Sequence, residues 1–354
     1  MIKVLVVEDS PVVKEYLVHI LNFGPGMEVV GTAGNGREAL EAVVRLKPDV
    51  VTMDINMPVM DGLEATRRIM ETNPLPILIV SGAWDPTEVK TTFKAMEAGA
   101  VTILQRPAGI GHPDADKMAA EMILKVKLMS EVKVVRRWPY KKTGAYLDMP
   151  VINMNPAIDS ADFDVVAIGA SAGGPVVIQS ILDSMQKDFP FPILIVQHIA
   201  AGFLNGMVDW LAETSGVPLQ IASGGEILLP GRAYFAPDGF NLGVRPDGRT
   251  FLDDRDANFR TRPSVSYLFQ SVAGAFGRNA VGILLSGMGS DGAAELKLMR
   301  SNGAVTIAQD RESSLIFGMP GAAVELDAAT YVLPPYKIIA ALKTLARNKE
   351  NHDR

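Results

Sequence analysis

Short apolar runs of strand length alternate with amphipathic stretches along most of the chain. The clearest runs cover residues 2–7, 50–53, 77–80, 165–168, 193–196 and 281–285. Glycine and proline stand at the joints, and the stretches between the runs repeat apolar residues with the period of a helix. Buried strands that alternate with helices predict an α/β fold built on parallel sheets.

The alternation fades between residues 128 and 161, where basic residues surround Trp138-Pro139-Tyr140. A chain of 354 residues is long enough for two hydrophobic cores. We therefore predict an α/β domain at 1–127, a linker at 128–161, a second α/β domain at 162–346 and a polar tail at 347–354. The alternative for the basic stretch is a nucleic-acid contact, but a formal net charge of -6 gives no general attraction to nucleic acid. We predict no nucleic-acid partner.

Two further features narrow the class of protein. There is no cysteine in the chain, which excludes disulfides, thiol catalysis and cysteine metal sites. The apolar runs fall well short of the roughly 20 residues of a membrane helix. The first apolar run also ends at Glu8 and Asp9, so it is too short for the apolar core of a secretory signal peptide. The sequence predicts a cytoplasmic protein that does not insert into membranes.

Three residues with the side chains of a hydrolytic triad follow apolar runs of the second domain. Ser171 and His198 come just after the runs at 165–168 and 193–196, and Asp291 lies in a glycine-rich loop after the run at 281–285. Parallel strands place their carboxyl ends at one edge of a sheet, where α/β proteins bind ligands. The three side chains are therefore candidates for one catalytic site.

Each of these residues also has a simpler interpretation. A serine in a glycine-rich turn is often an anion or nucleotide cradle, and a histidine at a strand end is often only a hydrogen-bonding residue. Asp291 is equally suited to a helix N-cap or an Asx-turn. The equivalent positions of all three favour catalysis. Of the four histidines, only His198 lies in this region outside the terminal tail.

The chain order of the three residues separates them from one familiar hydrolase fold. A serine elbow of the G-x-S-x-G type precedes an acid and then a histidine in α/β-hydrolases. Here the order is Ser171, His198, Asp291, and the only later histidine is His352 in the polar terminus. The order indicates a different kind of serine hydrolase.

The first domain has a carboxylate cluster of its own. Glu8 and Asp9 follow the first apolar run, and Asp54 follows the run at 50–53. Solvated loop acids are the simple interpretation. If the two runs are adjacent parallel strands, however, the three carboxylates converge at their ends, and Mg²⁺ prefers such oxygen ligands. The sequence predicts a magnesium site there.

The motifs around Ser171, His198 and Asp291 resemble those of the CheB family of chemotaxis protein-glutamate methylesterases. The matching motifs are Ile168-Gly169-Ala170-Ser171 with Gly173-Gly174, Gln197-His198, Leu229-Pro230-Gly231 with Ala236-Pro237, Arg262-Pro263-Ser264-Val265, Gly287-Met288-Gly289 with Asp291-Gly292-Ala293, and Phe317-Gly318-Met319-Pro320. The resemblance implies a doubly wound, mostly parallel α/β methylesterase domain. It also implies that the enzyme hydrolyses glutamyl methyl esters on methylated chemoreceptors, releases methanol, and deamidates receptor glutamines.

In that family the serine attacks the ester, the histidine is the general base, and the aspartate orients the histidine. Ester hydrolysis by this route requires no cofactor. The oxyanion that forms needs backbone N–H donors, and the bends at Met288 and Ala172 are placed to supply them. For the Met288 side chain, packing between glycines is the alternative.

The first domain resembles the flavodoxin-like receiver domain of response regulators. The resemblance implies that Asp54 accepts a phosphoryl group from a chemotaxis histidine kinase, that Glu8, Asp9 and Asp54 hold Mg²⁺, and that Ser81 is the switch hydroxyl. Arg106 stands where receivers normally carry lysine. An arginine keeps the positive charge but replaces a compact ammonium with a planar fork, which alters the coupling of phosphate to conformation.

The sequence therefore predicts a phosphorylation-regulated carboxylic-ester hydrolase of chemotaxis adaptation. A signalling adaptor that binds kinase and receptor with little catalysis is the main alternative. A receiver-coupled transcription factor is disfavoured, because the second half of the chain is an α/β core without an evident recognition-helix module.

Overall fold

The computed structural model describes residues 1–82, 86–109, 111–132, 134, 163–255, 259 and 261–352. The chain divides into two compact units, Met1–Lys141 and Lys142–Arg354. Most of the predicted linker, including Trp138-Pro139-Tyr140, lies outside the described residues. Among the residues searched, no helix combines the length and the apolar character needed to cross a membrane.

The first unit is a five-stranded parallel sheet in the order β2-β1-β3-β4-β5. Its elements are β1 (Ile2–Val7), α1 (Pro11–Phe23), β2 (Met27–Ala33), α2 (Gly36–Leu46), β3 (Val50–Met53), α3 (Gly62–Thr72), β4 (Ile77–Ser81), α4 (Pro86–Glu97), β5 (Thr102–Gln105) and α5 (Ala115–Ser130). The apolar runs of the sequence form its central strands, and every residue of β3 and β4 is buried.

The strand order places the carboxylates of the first unit together. Strand β1 lies between β2 and β3, so the winding direction reverses there, and Val7 pairs with Met53 at the end of the two strands. The residues that follow both strands therefore meet at one edge of the sheet. Such a reversal is where open α/β sheets bind ligands.

The second unit is a seven-stranded parallel sheet in the order β14-β13-β12-β6-β7-β9-β8, with a separate antiparallel hairpin of β10 and β11. Its elements are β6 (Val165–Ala170), α6 (Gly174–Ser184), β7 (Ile193–Gln197), α7 (Leu204–Ala212), β8 (Leu219–Ile221), β9 (Ala233–Phe235), β10 (Asn241–Val244), β11 (Thr250–Asp253), α8 (Val265–Phe276), β12 (Ala280–Leu284), α9 (Ala293–Ser301), β13 (Val305–Gln309), α10 (Met319–Glu325), β14 (Tyr331–Leu333) and α11 (Pro335–His352). The predicted α/β class is confirmed in both units.

The core of the second unit surrounds the neighbouring strands β6 and β12. Both strands are fully buried, and Leu284 pairs with Gly169 near their carboxyl ends. Leu268 and Phe269 of α8 and Leu296 of α9 belong to the same hydrophobic cluster. From β6 the chain winds one way through β7, and from β12 it winds the other way through β13. The loops after β6 and β12 therefore stand at the reversal of the winding.

Two helices extend past the predicted domain boundaries. Helix α5 continues beyond residue 127 to Ser130, and α11 continues beyond residue 346 to His352, through most of the predicted polar tail. The buried residues Ile338, Leu342 and Leu345 anchor α11. The polar residues that follow include lysine, arginine and glutamate, which favour helix. The helix therefore continues beyond Leu345 into the polar segment.

Candidate active site and carboxylate site

The loop after β6 exposes Ser171 between the sheet and α6. Gly173 precedes the helix with a φ of 81°, in the left-handed region that favours glycine. A Cβ there would lie 2.7 Å from the Cβ of Leu315, which leaves no room for a side chain. The Ser171 N–H donates to the Ser286 carbonyl at 3.0 Å. The loop is thus bound to the segment that follows β12.

His198 follows β7 directly beside Ser171. Ala170 pairs with Gln197 in the β6–β7 register, and the His198 N–H donates to the Ala170 carbonyl at 2.8 Å. The Gln197 side chain bridges the two loops, because its Nε2 donates to the carbonyls of both Ser171 and His198 at 2.9 Å. The structure therefore brings two of the predicted triad residues to adjacent strand ends.

Asp291 meets His198 across the same edge. Its Oδ2 lies 2.8 Å from His198 Nε2, and both side chains are mostly buried. The carboxylate also accepts hydrogen bonds from the backbone N–H groups of Val265 at 2.8 Å and Ser266 at 3.0 Å, and from the Ser264 hydroxyl at 2.9 Å. These donors belong to the start of α8, where free N–H groups and the helix dipole stabilise an anion.

Burial alone would raise the pKa of Asp291. The hydrogen bond and charge of His198, together with the N–H groups of Val265 and Ser266, outweigh that effect and hold its pKa well below the ordinary value. Asp291 is therefore ionised at neutral pH. The alternative interpretation of Asp291 is a helix N-cap. Its carboxylate does accept hydrogen bonds from a helix N-terminus, but that helix is α8 and not α9, which follows Asp291 in the chain.

The orientation of the imidazole decides which ring nitrogen is available for chemistry. His198 Nε2 is the atom that faces Asp291. An imidazole has two ring nitrogens, and a neutral ring carries one proton. With Nε2 beside the carboxylate, Nδ1 is the ring nitrogen that remains to receive a proton from a nucleophile.

The Gly287-Met288-Gly289 loop packs directly against the nucleophile loop. A Cβ on Gly287 would lie 2.7 Å from the Ser171 Cβ. The Gly287 carbonyl accepts the Met319 N–H at 2.8 Å, which fixes the loop. Among the described residues, neither the Met288 N–H nor the Ala172 N–H donates a hydrogen bond. Met288 is 40% exposed, which does not fit the alternative that it is a packing residue.

Glu8, Asp9 and Asp54 converge as their strand ends predict. One carboxylate oxygen from each lies within 4.8 Å of the others, with Glu8 and Asp54 buried and Asp9 exposed. Glu8 Oε2 is buried and accepts no hydrogen bond among the described residues. Burial raises the pKa of Glu8, although Arg106 lowers it in part. Three carboxylates this close together, with one Glu8 oxygen free of hydrogen bonds in the described part of the chain, fit a magnesium ion that keeps several of its waters.

Arg106 extends into this carboxylate cluster. Its Nη2 lies 3.1 Å from Asp54 Oδ1 and 3.4 Å from Glu8 Oε2. Its backbone N–H donates to the carbonyl of Ser81, a buried residue at the end of β4. The guanidinium thus serves as counter-charge for two of the three carboxylates, while Ser81 lies at the same sheet edge.

The sequence predicted no role in the active site for three residues that shape it. Ser264 donates a hydrogen bond to Asp291, and the Ser286 carbonyl accepts the N–H of Ser171. Gln197 bridges the loops that carry Ser171 and His198. Ser264 carried a local signal, because a serine that follows a proline and precedes an apolar stretch is typical of a helix N-cap. No local pattern reveals that its hydroxyl contacts a residue 27 positions away.

The fold and the two sites fit a hydrolase linked to a receiver domain, and comparisons with known proteins agree. The family model described as CheB methylesterase matches residues 166–342, and that of the response regulator receiver domain matches residues 4–112. The chain is 56% identical to "Protein-glutamate methylesterase/protein-glutamine glutaminase 4" of Geobacter metallireducens, over 99% of this chain and 100% of the relative. It is 51% identical to the corresponding protein of Nitrosospira multiformis, over 99% of this chain and 98% of that one.

Among solved structures, the chain is similar to the CheB methylesterase catalytic domain of Thermotoga maritima, with 35% identity and a TM-score of 0.49. The match covers 52% of this chain and 98% of the solved chain. Identity above 50% over nearly the whole length of two relatives shows the family. The chain belongs to the CheB methylesterase family of receiver-linked hydrolases.

Proposed function

We propose that the protein hydrolyses glutamyl methyl esters on chemoreceptors in chemotaxis adaptation, under control of phosphorylation, and that glutamine deamidation is its second activity. The observation that carries the proposal is the alignment of Ser171, His198 and Asp291 at one sheet edge, with the imidazole 2.8 Å from the aspartate. The names of the relatives support the choice of substrate. Release of methanol from methylated receptor membranes tests it.

In the proposed reaction, Ser171 Oγ attacks the ester carbonyl and its proton passes to His198 Nδ1. The carbonyl oxygen becomes an oxyanion that the N–H groups of Met288 and Ala172 stabilise; one such donor is worth about 2.7–4 kcal/mol. The carbon–methoxide bond then breaks, and the imidazolium returns the proton to give methanol. This leaves a glutamyl ester on Ser171.

Water completes the cycle. His198 takes a proton from the water as it attacks the acyl carbonyl, and then returns it to Ser171 Oγ as the acyl bond breaks. The product is a glutamate carboxylate, and the serine is regenerated. With a glutamine substrate the same steps release ammonia in place of methanol, so one site accounts for both activities.

Asp291 orients His198 in this scheme, and Asp291→Asn tests that role. In the native protein, Val265 N–H, Ser266 N–H and Ser264 Oγ all donate to the Asp291 carboxylate. An asparagine carboxamide has one acceptor oxygen in place of two, so it cannot accept all of these hydrogen bonds in the same way. We expect a folded variant that turns over at least about a hundredfold more slowly, because the imidazole loses its fixed tautomer and its counter-charge. Methanol release and thermal melting measure the two properties.

Asp183→Asn provides the matched control, since Asp183 is an exposed carboxylate on α6 of the same unit. It is expected to leave turnover unchanged. An Asp291→Asn protein that melts like the wild type and keeps its rate would assign the orienting role to another residue.

The receiver unit is proposed to be phosphorylated on Asp54 by a chemotaxis histidine kinase. Glu8, Asp9 and Asp54 would hold Mg²⁺, which offsets the negative charge on the phosphoryl oxygens during transfer. Arg106 supplies positive charge beside Asp54, and Ser81 supplies a hydroxyl at the same edge. By family resemblance, phosphorylation of the receiver shifts the population toward a more active enzyme. The cytoplasmic location stays a prediction.

Arg106→Lys tests how the receiver transmits its signal. The guanidinium bridges Asp54 and Glu8 in the resting protein. A lysine ammonium is a compact charge on a flexible stem and follows a new phosphoryl group more readily than a planar fork held by two carboxylates. We expect the ratio of esterase rates with and without a small phosphodonor to rise in the variant.

Arg68→Lys controls for arginine replacement as such, because Arg68 pairs with Glu64 on the exposed face of α3. Its stimulation ratio is expected to match the wild type. An unchanged or lower ratio for Arg106→Lys would show that the guanidinium does not limit the response.

A further inference from the structure

Ser264 connects the start of α8 to the catalytic aspartate. It is the N-cap of that helix, is 1% exposed, and has extended backbone angles. Its hydroxyl donates to Asp291 Oδ1 at 2.9 Å and accepts the Tyr267 N–H at 3.3 Å. Its own N–H donates to Asn241 Oδ1 at 2.9 Å, and Asn241 is fully buried. The serine is thus fixed from both sides.

The two oxygens of Asp291 have different neighbours. Oδ1 accepts from the Ser264 hydroxyl and the Ser266 N–H, whereas Oδ2 accepts from the Val265 N–H and faces His198, with Thr261 Oγ1 at 3.4 Å. Ser264 is therefore the side chain that holds the oxygen turned away from the imidazole. Without it, Oδ1 keeps only the Ser266 N–H of its two donors among the described residues.

We propose that Ser264 is a positioning residue, whose hydroxyl holds Asp291 so that Oδ2 stays directed at His198 Nε2. The inference rests on the proposed function. It adds Ser264 as a fourth member to the triad of Asp291, His198 and Ser171. A hydrogen bond to a charged group corresponds to about ten- to a hundredfold in an equilibrium constant. Loss of the hydroxyl is expected to lower kcat by a factor in that range and to leave KM nearly unchanged.

The competing explanation is that Ser264 matters only as a helix cap. The variant Ser264→Gly distinguishes this explanation from a positioning role. Alanine at an N-cap destabilises a helix substantially, but glycine does so only slightly. If capping alone matters, Ser264→Gly turns over like the wild type. If the hydroxyl positions Asp291, Ser264→Gly is slow although it melts close to the wild type, and Ser264→Thr, which retains a hydroxyl, is faster than Ser264→Gly.

The experiment measures kcat and KM for methanol release from methylated receptor membranes by the full chain. It also measures the rate at which a fluorophosphonate probe labels Ser171, which reports the nucleophile without any receptor. The variants are Ser264→Ala, Ser264→Gly and Ser264→Thr. Ser271→Ala is the control, because Ser271 lies on the same helix and its hydroxyl bonds to the Leu268 carbonyl and the Val244 N–H.

We expect both kcat and probe labelling to fall about ten- to a hundredfold in Ser264→Gly, and neither to change in Ser271→Ala. The proposal is overturned if Ser264→Gly has the wild-type kcat, or if Ser264→Thr melts like the wild type and is no faster than Ser264→Gly. A wild-type protein that neither releases methanol nor reacts with the probe overturns the proposed function itself, which distinguishes the two failures.

Discussion

Alanine at Ser171 or at His198 is expected to remove nearly all methyl-ester hydrolysis, by at least about a thousandfold in kcat. Ser171→Ala deletes the attacking oxygen, and His198→Ala deletes the base that the 2.8 Å contact with Asp291 orients. Because the two residues act as one unit, the double variant is expected to be little slower than either single variant. Methanol release from methylated receptor membranes measures all three.

Ser180→Ala is the matched control for the loss of a serine, since Ser180 lies on α6 and its hydroxyl donates to the Val176 carbonyl within the same helix. It is expected to keep the wild-type rate. A folded Ser171→Ala protein with turnover close to that of the wild type would rule out a serine mechanism.

Asp54→Asn is expected to abolish phosphoryl labelling of the receiver by Mg²⁺ and a small phosphodonor. Asparagine keeps the size of the side chain but loses the anionic oxygen that accepts the phosphoryl group, and it removes one carboxylate from the cluster with Glu8 and Asp9. Incorporation of labelled phosphate into the full chain, followed by peptide mapping, measures the effect. Omission of Mg²⁺ is expected to suppress labelling of the wild type as well.

Asp61→Asn is the control for this experiment. Asp61 caps α3 by accepting the Glu64 N–H at 2.8 Å, and asparagine is an equally good cap. The control protein is expected to be labelled like the wild type. Labelling that persists in Asp54→Asn would place the phosphorylated residue elsewhere.

The sequence predicted both sites because strand ends can be located from apolar runs. Ser171, His198 and Asp54 follow buried strands directly, so the parallel sheet alone brings them to one edge of each unit. Asp291 follows β12 at a greater distance, and the start of α8 fixes its position. Such contacts join residues far apart in the chain, and no local period encodes them.

The contacts of Arg106 show the same limit. The sequence motif identified Arg106 as the residue at the position where receivers normally carry lysine. It could not predict that the guanidinium contacts both Asp54 and Glu8, because that depends on how far the side chain extends across the sheet edge. Helix ends were also hard to place. Helix α11 runs to His352 because the polar segment after Leu345 contains good helix formers.

The central claim is that this protein is a working esterase and not an adaptor that only binds kinase and receptor. The most direct test is methanol release from methylated chemoreceptor membranes by the full chain and by Ser171→Ala, each with and without a phosphodonor. The account predicts that the wild type releases methanol, that the phosphodonor increases the rate, and that Ser171→Ala releases almost none under either condition. Wild-type protein that binds the receptor membranes yet releases no more methanol than Ser171→Ala would contradict it.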